Sequence, residues 1–361
     1  MRRNMKGVIF GPTKQIKTVA GYIEFIKERP EDNTTGIPHP RYLYRGHSDT
    51  NYKLTPSIDR TSEGLSAEKR LVEMSKNKRP DVFRSEDDKL TLLAKMQHYG
   101  LPTRLIDVTT NPLVALYFAC QKDDVDGEVL EFEEHIWTSG DTIPSGYMSL
   151  MFSEAWKPDQ EEKESYRSKC ERISRRYYNH QFCKKLILSM VGLIPDSGIP
   201  VAEWWSRNQD KDWFREWDNV YYHGFLDSKA YSSILTSLLK IPIFVEAQET
   251  IERQRIQQGM YMLIPNEVII DDKGESMIMN SLPTLYTDNA NIGHFIIKAE
   301  DKCQILKELD MIGVNEGFLF GDSIDHVCSQ IVKDVFGNAT GYKMGTGDSE
   351  PYGQYGQNET K

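Results

Sequence analysis

The chain lacks a long apolar run, a cysteine framework and an excess of positive charge, and each absence removes a class of function. Nowhere in the 361 residues does an uninterrupted apolar stretch approach the ~18–20 residues that cross a bilayer. The opening MRRNMKGVIFGPTKQIK has no apolar core followed by small residues, so no secretory leader is read there and a cytoplasmic location without membrane contact is expected. Cys120, Cys170, Cys183, Cys303 and Cys328 are five in number and scattered, with no CxxC pair and no close spacing to histidine. That supports neither a disulfide framework nor a zinc site; reduced, mostly buried thiols and no bound metal are expected. A net charge of −10 opposes broad nucleic-acid binding, which needs a clustered positive surface. The basic run from Lys163 to Lys185 reads first as a solvated helix face and second as a functional patch. Also missing are GxGxxG and GxxxxGK[ST] loops, a GxSxG elbow, an HExxH pair and a dense carboxylate cluster.

What is present is a chain able to fold around a core. Its 39% apolar and 27% charged residues match ordinary globular proteins, so disorder of the whole is excluded. Val19, Tyr22, Ile23 and Ile26 recur at helical spacing and predict an opening helix. From Arg41 to Gly46 the period changes to two, with Tyr42 and Tyr44 on one side and Leu43 and Arg45 on the other, as in a strand. Helices are expected from about Ser66 and over LTLLAKMQHYG, the second closed by Gly100 and Pro102. Residues Leu101 to Thr110 then read as a loop of fixed geometry. Asn111 and Pro112 cap and open a helix that is apolar all round, hence buried.

From about Glu133 to Leu239 the composition turns to Trp, Tyr, Lys and Glu, with Trp156, Trp204, Trp205, Trp213 and Trp217, which predicts a mainly helical insertion. Strands return at Ile243–Val245, Met260–Ile264 and Phe295–Ile297, the last two separated by a polar excursion of turns. Ile305, Leu306, Leu309 and Ile312 predict a helix closed by Gly313. Ile324, Val327, Cys328, Ile331 and Val335 predict a final one, with Asp322 as its cap. After Asn338 a glycine-rich polar tail is expected.

The residues able to carry chemistry gather in three places. Arg45, at a strand end beside Gly46, suits a phosphate or carboxylate held by the planar guanidinium, with the glycine admitting the ligand to the backbone; the alternative is a pairing with a structural carboxylate such as Asp107. Gln97, His98, Tyr99, Thr103, Arg104, Asp107 and Thr109 crowd between two apolar helices and must bond one another or a ligand. There Arg104 with Asp107 reads as an internal ion pair, and His98 as either a general acid or base or a helix cap. Gln258, with Gly259, stands at the mouth of a late strand and either orients a hydroxyl or closes a turn; Glu246, Glu249 and Glu252 are nearby carboxylates that no motif fixes.

Two stretches carry a family resemblance: LYRGHSD around Arg45, and MQHYGLPTRLIDVTTNPLVALYFA from Met96 to Ala119. They resemble the signatures of the FRG domain family, with Tyr44 where the family often has phenylalanine and Val108 where tryptophan is common. RQRIQQGMYMLIP, from Arg253 to Pro265, and LKELDMIGVNEGFLFGDSIDHVCSQI, near the end, are weaker matches. The resemblance implies a bacterial or phage-related setting and an α+β fold. It divides the chain into an FRG part at 16–132, the helical insertion at 133–239, a second FRG part at 240–337 and a flexible tail at 338–361.

The order of Arg45, a hydroxyl-bearing stretch, the Leu116–Ala119 helix and a late strand with Gln258 is similar to the layout of ADP-ribosyltransferases, although no late glutamate falls in the expected place. That likeness implies a mixed central sheet flanked by helices and NAD as a candidate substrate. It gives catalytic roles to Arg45, His98, Arg104, Asp107 and Gln258, and ligand contacts to Tyr44, Gly46, Gln97, Tyr99, Thr103, Thr109 and Tyr117. The function expected is a nucleotide-binding or ADP-ribosyltransferase-like effector in phage defence or toxicity. The alternative is a non-catalytic module that recognises a protein partner through the Trp-rich insertion.

Overall fold

Among the described residues seven strands make the central sheet, and their alternation of apolar residues decides which face each layer of helices covers. The computed structural model describes residues 13–28, 41–85, 87–134, 180–221, 235, 238–239, 242–247, 252–283 and 292–320. The predicted final helix and its cap Asp322, the tail, the insertion up to residue 179 and Glu249 lie outside these residues. The strands are β1 (Thr13–Ile16), β2 (Arg41–His47), β3 (Leu105–Thr109) and β4 (Gly127–Glu134). After the two-residue β5 (Ile199–Pro200) come β6 (Ile243–Val245), β7 (Gly259–Leu263), β8 (Val268–Ile270), β9 (Ser276–Ile278) and β10 (Ile292–Ile297). The large sheet runs β1-β10-β4-β2-β3-β7-β6, and a small sheet runs β5-β9-β8. β1 lies parallel to β10 and every other pairing is antiparallel. The fold is α+β with a mixed sheet, as expected.

One face of the sheet presents Leu43, Ile106, Val108, Leu130, Phe132, Met260 and Met262, packed against Ile58, Leu65, Ile264 and Leu282. Helices cover the other face in two groups. α1 (Val19–Lys27), α4 (Pro112–Ala119), α8 (Ala299–Met311) and α9 (Glu316–Phe320) lie over Ile16, Tyr44, Val129, Phe295 and Ile297. α3 (Lys89–His98), helical residues 180–190, α5 (Val201–Asn208) and α6 (Asp212–Tyr221) lie over Leu105, Ile243, Val245, Tyr261 and Leu263. α2 (Glu68–Lys78) and α7 (Glu252–Ile256) complete the labelled helices. The Trp-bearing helices are therefore part of this core: Phe182, Leu186, Trp204 and Phe214 are buried in one cluster with Leu92, Leu93 and Met96 of α3.

Local chemistry explains the boundaries. Thr18, Asp88 and Asn111 accept backbone N–H bonds at the starts of α1, α3 and α4, and Pro112 sits in the first turn of α4. Gly100 (φ +79) and Gly313 (φ +82) take the left-handed conformation that ends α3 and α8. α4 crosses the sheet at van der Waals contact because two strand positions lack a side chain. A Cβ on Gly46 would stand 2.0 Å from the Ala115 carbonyl oxygen, and one on Gly127 would stand 2.1 Å from that of Ala119.

Two expectations change. Residues 101–110 are not a loop throughout: Leu105–Thr109 is an internal strand, bonded to β7 along its length. Its Leu-Ile-Asp-Val-Thr run buries Leu105, Ile106 and Val108, which suits a strand flanked on both sides. The stretch between Met260–Ile264 and Phe295–Ile297 contains the β8–β9 hairpin rather than turns alone.

Candidate functional site

The large sheet is split between β2 and β3. These strands meet in register only at Tyr44 and Thr109, whereas β2 pairs along its length with β4 and β3 with β7. Towards His47 and Asp107 they part. There the Arg45 side chain supplies the bond that a backbone donor would supply in a closed ladder, its Nη1 donating to the Asp107 carbonyl at 2.6 Å. The guanidinium is held on a second side as well, because its Nε donates to His47 Nε2 at 3.0 Å. Arg45 itself is partly exposed, so a fixed cation stands at the mouth of the split.

Behind it runs a buried polar chain. His47 Nδ1 lies 2.9 Å from Glu128 Oε1, Glu128 Oε2 lies 2.9 Å from His294 Nε2, and His294 Nδ1 lies 3.2 Å from Thr13 Oγ1. The chain crosses β2, β4, β10 and β1 on one face: His47 stands opposite Glu128, His294 stands opposite Leu130, two residues along β4 from Glu128, and Thr13 lies beside His294 in the parallel pair. Burial pushes the His47 imidazole below its ordinary pKa, against the pull of its hydrogen bond to Glu128 and with help from the Arg45 charge. Burial alone would raise the Glu128 carboxyl, but hydrogen bonds from His294 and His47 outweigh it and hold the group below its usual value.

Other basic and aromatic groups border the site. The ring of Tyr52 meets His47 edge-on at 6.1 Å, the Lys122 ammonium lies 4.6 Å from the Tyr52 ring centre and bonds its hydroxyl, and Arg60 is close enough to lower the His47 pKa.

On the opposite face of β3, Thr103, Gln97 and Asp107 are joined in series: the Thr103 hydroxyl donates to Gln97 Oε1, and Gln97 Nε2 donates to Asp107 Oδ2 at 2.7 Å. Asp107 is exposed. The buried Tyr261 opposite it has its hydroxyl pKa pushed up, first by burial and then by the Asp107 charge. At the far end of β3, the Thr109 hydroxyl donates to the Gln257 carbonyl at 2.7 Å, and the Gln258 carbonyl accepts from the Thr110 amide at 3.1 Å. Gln258 is exposed with φ +49, the conformation of a tight turn into β7. Arg45, Gln97, Thr103, Asp107, Thr109 and Gln258 thus lie along one strand and its split.

The other residues singled out from sequence are elsewhere. Arg104 does not pair with Asp107. It is wholly buried, with Nε and Nη2 donating to the two oxygens of Glu68 at 2.7 and 2.6 Å and Nη1 donating to Asn266 Oδ1 at 2.9 Å. Positions 104 and 107 are three apart on an extended chain, so their side chains leave opposite faces. His98 and Tyr99 form an exposed edge-on ring pair at the end of α3, with Tyr99 also against Phe83. Tyr44 is buried with the α4 side of the core, and the space beside Gly46 is filled by the α4 backbone rather than left for a ligand. Tyr117 is buried on α4 with its hydroxyl pKa pushed up to about 12 by burial, with Glu316 adding to it.

His47, Glu128 and His294 went unnoticed in the sequence. His47 sits two residues beyond Arg45, the spacing that puts two strand side chains on one face, and that was the available signal. Among the described residues no group of three or more histidine, cysteine and acidic side chains is placed to hold a metal ion, and no helix is long and apolar enough to cross a membrane.

The family model of the FRG domain matches residues 40–128. That span includes Arg45, His47, Glu68, Arg104, Asp107 and Glu128, but not Gln258 or His294. No curated protein and no solved structure matches the chain.

Proposed function

Starting from the FRG domain that this chain carries over residues 40–128, we propose that the split beside Arg45 binds a nucleotide through its phosphates. NAD is the first candidate, consumed by an ADP-ribosyltransferase-like or NAD-glycohydrolase reaction. The observation that carries the reading is the Arg45 guanidinium, partly exposed where β2 and β3 part and fixed by His47 and the Asp107 carbonyl. A guanidinium that does not need ordering loses less entropy when it forms charge-assisted bonds to phosphate. Lys122 and Arg60 add positive charge near the same mouth, and Tyr52 offers a ring face for a base. Asp107, oriented by Gln97, presents its carboxylate on the opposite face of β3 and is left out of the phosphate grip, with Thr109 and Gln258 further along β3. Arg104 is left out of the site, since its donors are spent on Glu68 and Asn266.

The biological setting proposed is a bacterial effector in phage defence or toxicity. Incubating the purified protein with NAD and following nicotinamide release and mass addition tests the chemistry, with Arg45→Ala as the control. Release that needs Arg45 supports the proposal; no release and no binding by the intact protein ends it. The competing idea, a recognition module working through the Trp-rich segment, has less behind it. Trp204 is buried, and Trp205 and Trp213 pack against the same core as α3.

A further inference from the structure

We propose that His47 and Glu128 are positioning residues that fix the plane of the Arg45 guanidinium for its anionic ligand, with His294 and Thr13 anchoring Glu128 from behind. The proposal rests on the reading of Arg45 as the group that grips phosphate. Its argument is one of donors and acceptors. Arginine can only donate hydrogen bonds, so the His47 nitrogen facing Arg45 Nε at 3.0 Å must carry a lone pair. The imidazole proton therefore sits on Nδ1 and points at Glu128 Oε1, 2.9 Å away. An ionised carboxylate only accepts, so Glu128 enforces that tautomer. Its other oxygen takes the Nε2–H of His294, which prevents the carboxylate from turning away.

Burying a carboxylate with two imidazoles costs stability unless every member is satisfied. Here each has a partner, and Glu128 and His47 are 6% and 3% exposed. A purely structural tie between β2 and β4 would not need its outermost bond directed at a partly exposed arginine. The chain also joins residues matched by the family model to His294, 166 positions beyond Glu128, so the site is complete only when the last strand of the sheet is in place.

The test uses the full chain labelled with 15N, with His47→Gln serving to assign the imidazole signals. Long-range 1H–15N correlations at pH 7.5 report the tautomer directly. The expected result is a neutral His47 protonated on Nδ1, together with an Arg45 Nε–H whose exchange with water speeds up about tenfold or more in Glu128→Leu, the scale of one lost hydrogen bond. A charged or Nε2-protonated His47, or Arg45 exchange unchanged in Glu128→Leu, overturns the proposal. Calorimetric titration with inorganic pyrophosphate adds a functional arm. His47→Leu should weaken binding about tenfold, whereas His47→Gln, whose amide oxygen can accept from Arg45, should recover most of it. Equal losses in the two variants contradict a positioning role. If the unaltered protein binds neither pyrophosphate nor NAD, the phosphate reading of Arg45 fails, while the tautomer and exchange data still decide whether His47 and Glu128 hold the guanidinium.

Discussion

Arg104→Leu should destabilise the protein by about 3–5 kcal/mol, the cost of stripping one partner from a buried ion pair. Arg104 is wholly buried and Glu68 is 2% exposed. The substitution leaves the Glu68 carboxylate with the Gly192 amide, which donates to it at 2.9 Å, and leaves Asn266 Oδ1 without the arginine. Against a total stability of about 5–15 kcal/mol, this is a fifth or more of what holds the fold. Three separate pieces come apart together, because Arg104 joins the start of β3 to α2 through Glu68 and to the segment after β7 through Ile264 and Asn266. The assay is equilibrium urea unfolding of the wild type, Arg104→Leu, Glu68→Leu and the double variant. Removing both charges should restore most of the loss, since an apolar pair of similar volume replaces a buried ion pair at little net cost, giving a coupling of about 2 kcal/mol or more. A single variant that costs less than about 1 kcal/mol, or a double variant that costs the sum of the singles, would falsify the assignment of Arg104 as the structural hub.

Gly46→Ala should cost about 3 kcal/mol or more, or prevent folding, because its Cβ meets the α4 backbone at 2.0 Å, where no flexible side chain can yield; Gly64→Ala, with open space but φ +55, should cost only about 1–2 kcal/mol. Thermal melts of the two variants would separate these outcomes. Stability should fall as pH drops below about 6.5, because burial holds His47 and His180 below their ordinary value, so the unfolded chain takes up protons that the folded one refuses. The slope is up to about 1.4 kcal/mol per pH unit for each histidine, and it should be shallower in His47→Gln; an unchanged slope removes His47 from the account. Below about 4.5 a further loss is expected as Glu128, stabilised in its ionised form, is protonated. In native protein Cys303 should react with a thiol reagent well before Cys120 and Cys183, which are buried with thiol pKa values pushed up to about 12. Peptide mapping by mass spectrometry would show the order, and early labelling of Cys120 would contradict the packing of α4.

The elements legible from sequence were those whose signal is local. The Asn111–Pro112 start of α4, the Gly100 and Gly313 stops and the two-residue period of β2 each follow from chemistry within a few positions. β3 was hidden because Asp107 and Thr109 made it look like a polar loop, whereas β7, paired with it along its whole length, supplies the hydrogen bonds that make an extended run stable there. β4 was not seen because Glu128, Glu131, Glu133 and Glu134 are poor strand formers taken alone. Their tolerance is tertiary, as Glu128 shows: its two partners lie 81 positions before it and 166 after it. The same limit explains the Arg104 error. The nearest carboxylate in sequence was Asp107, but the strand period sends it to the opposite face and the true partner, Glu68, lies 36 positions away. Arg45 was identified from its motif, while the acceptors that hold it became visible only when the sheet was assembled.

The most direct test of the central claim is binding of NAD to the intact protein and to Arg45→Ala, measured by calorimetry alongside a nicotinamide-release assay and a thermal melt of both. The account predicts that wild type binds and releases nicotinamide, and that Arg45→Ala loses both while keeping its melting temperature to within a few degrees. If Arg45→Ala melts far earlier and the wild type shows no affinity for NAD, Arg45 is a structural tie across the split sheet and the nucleotide site is not there.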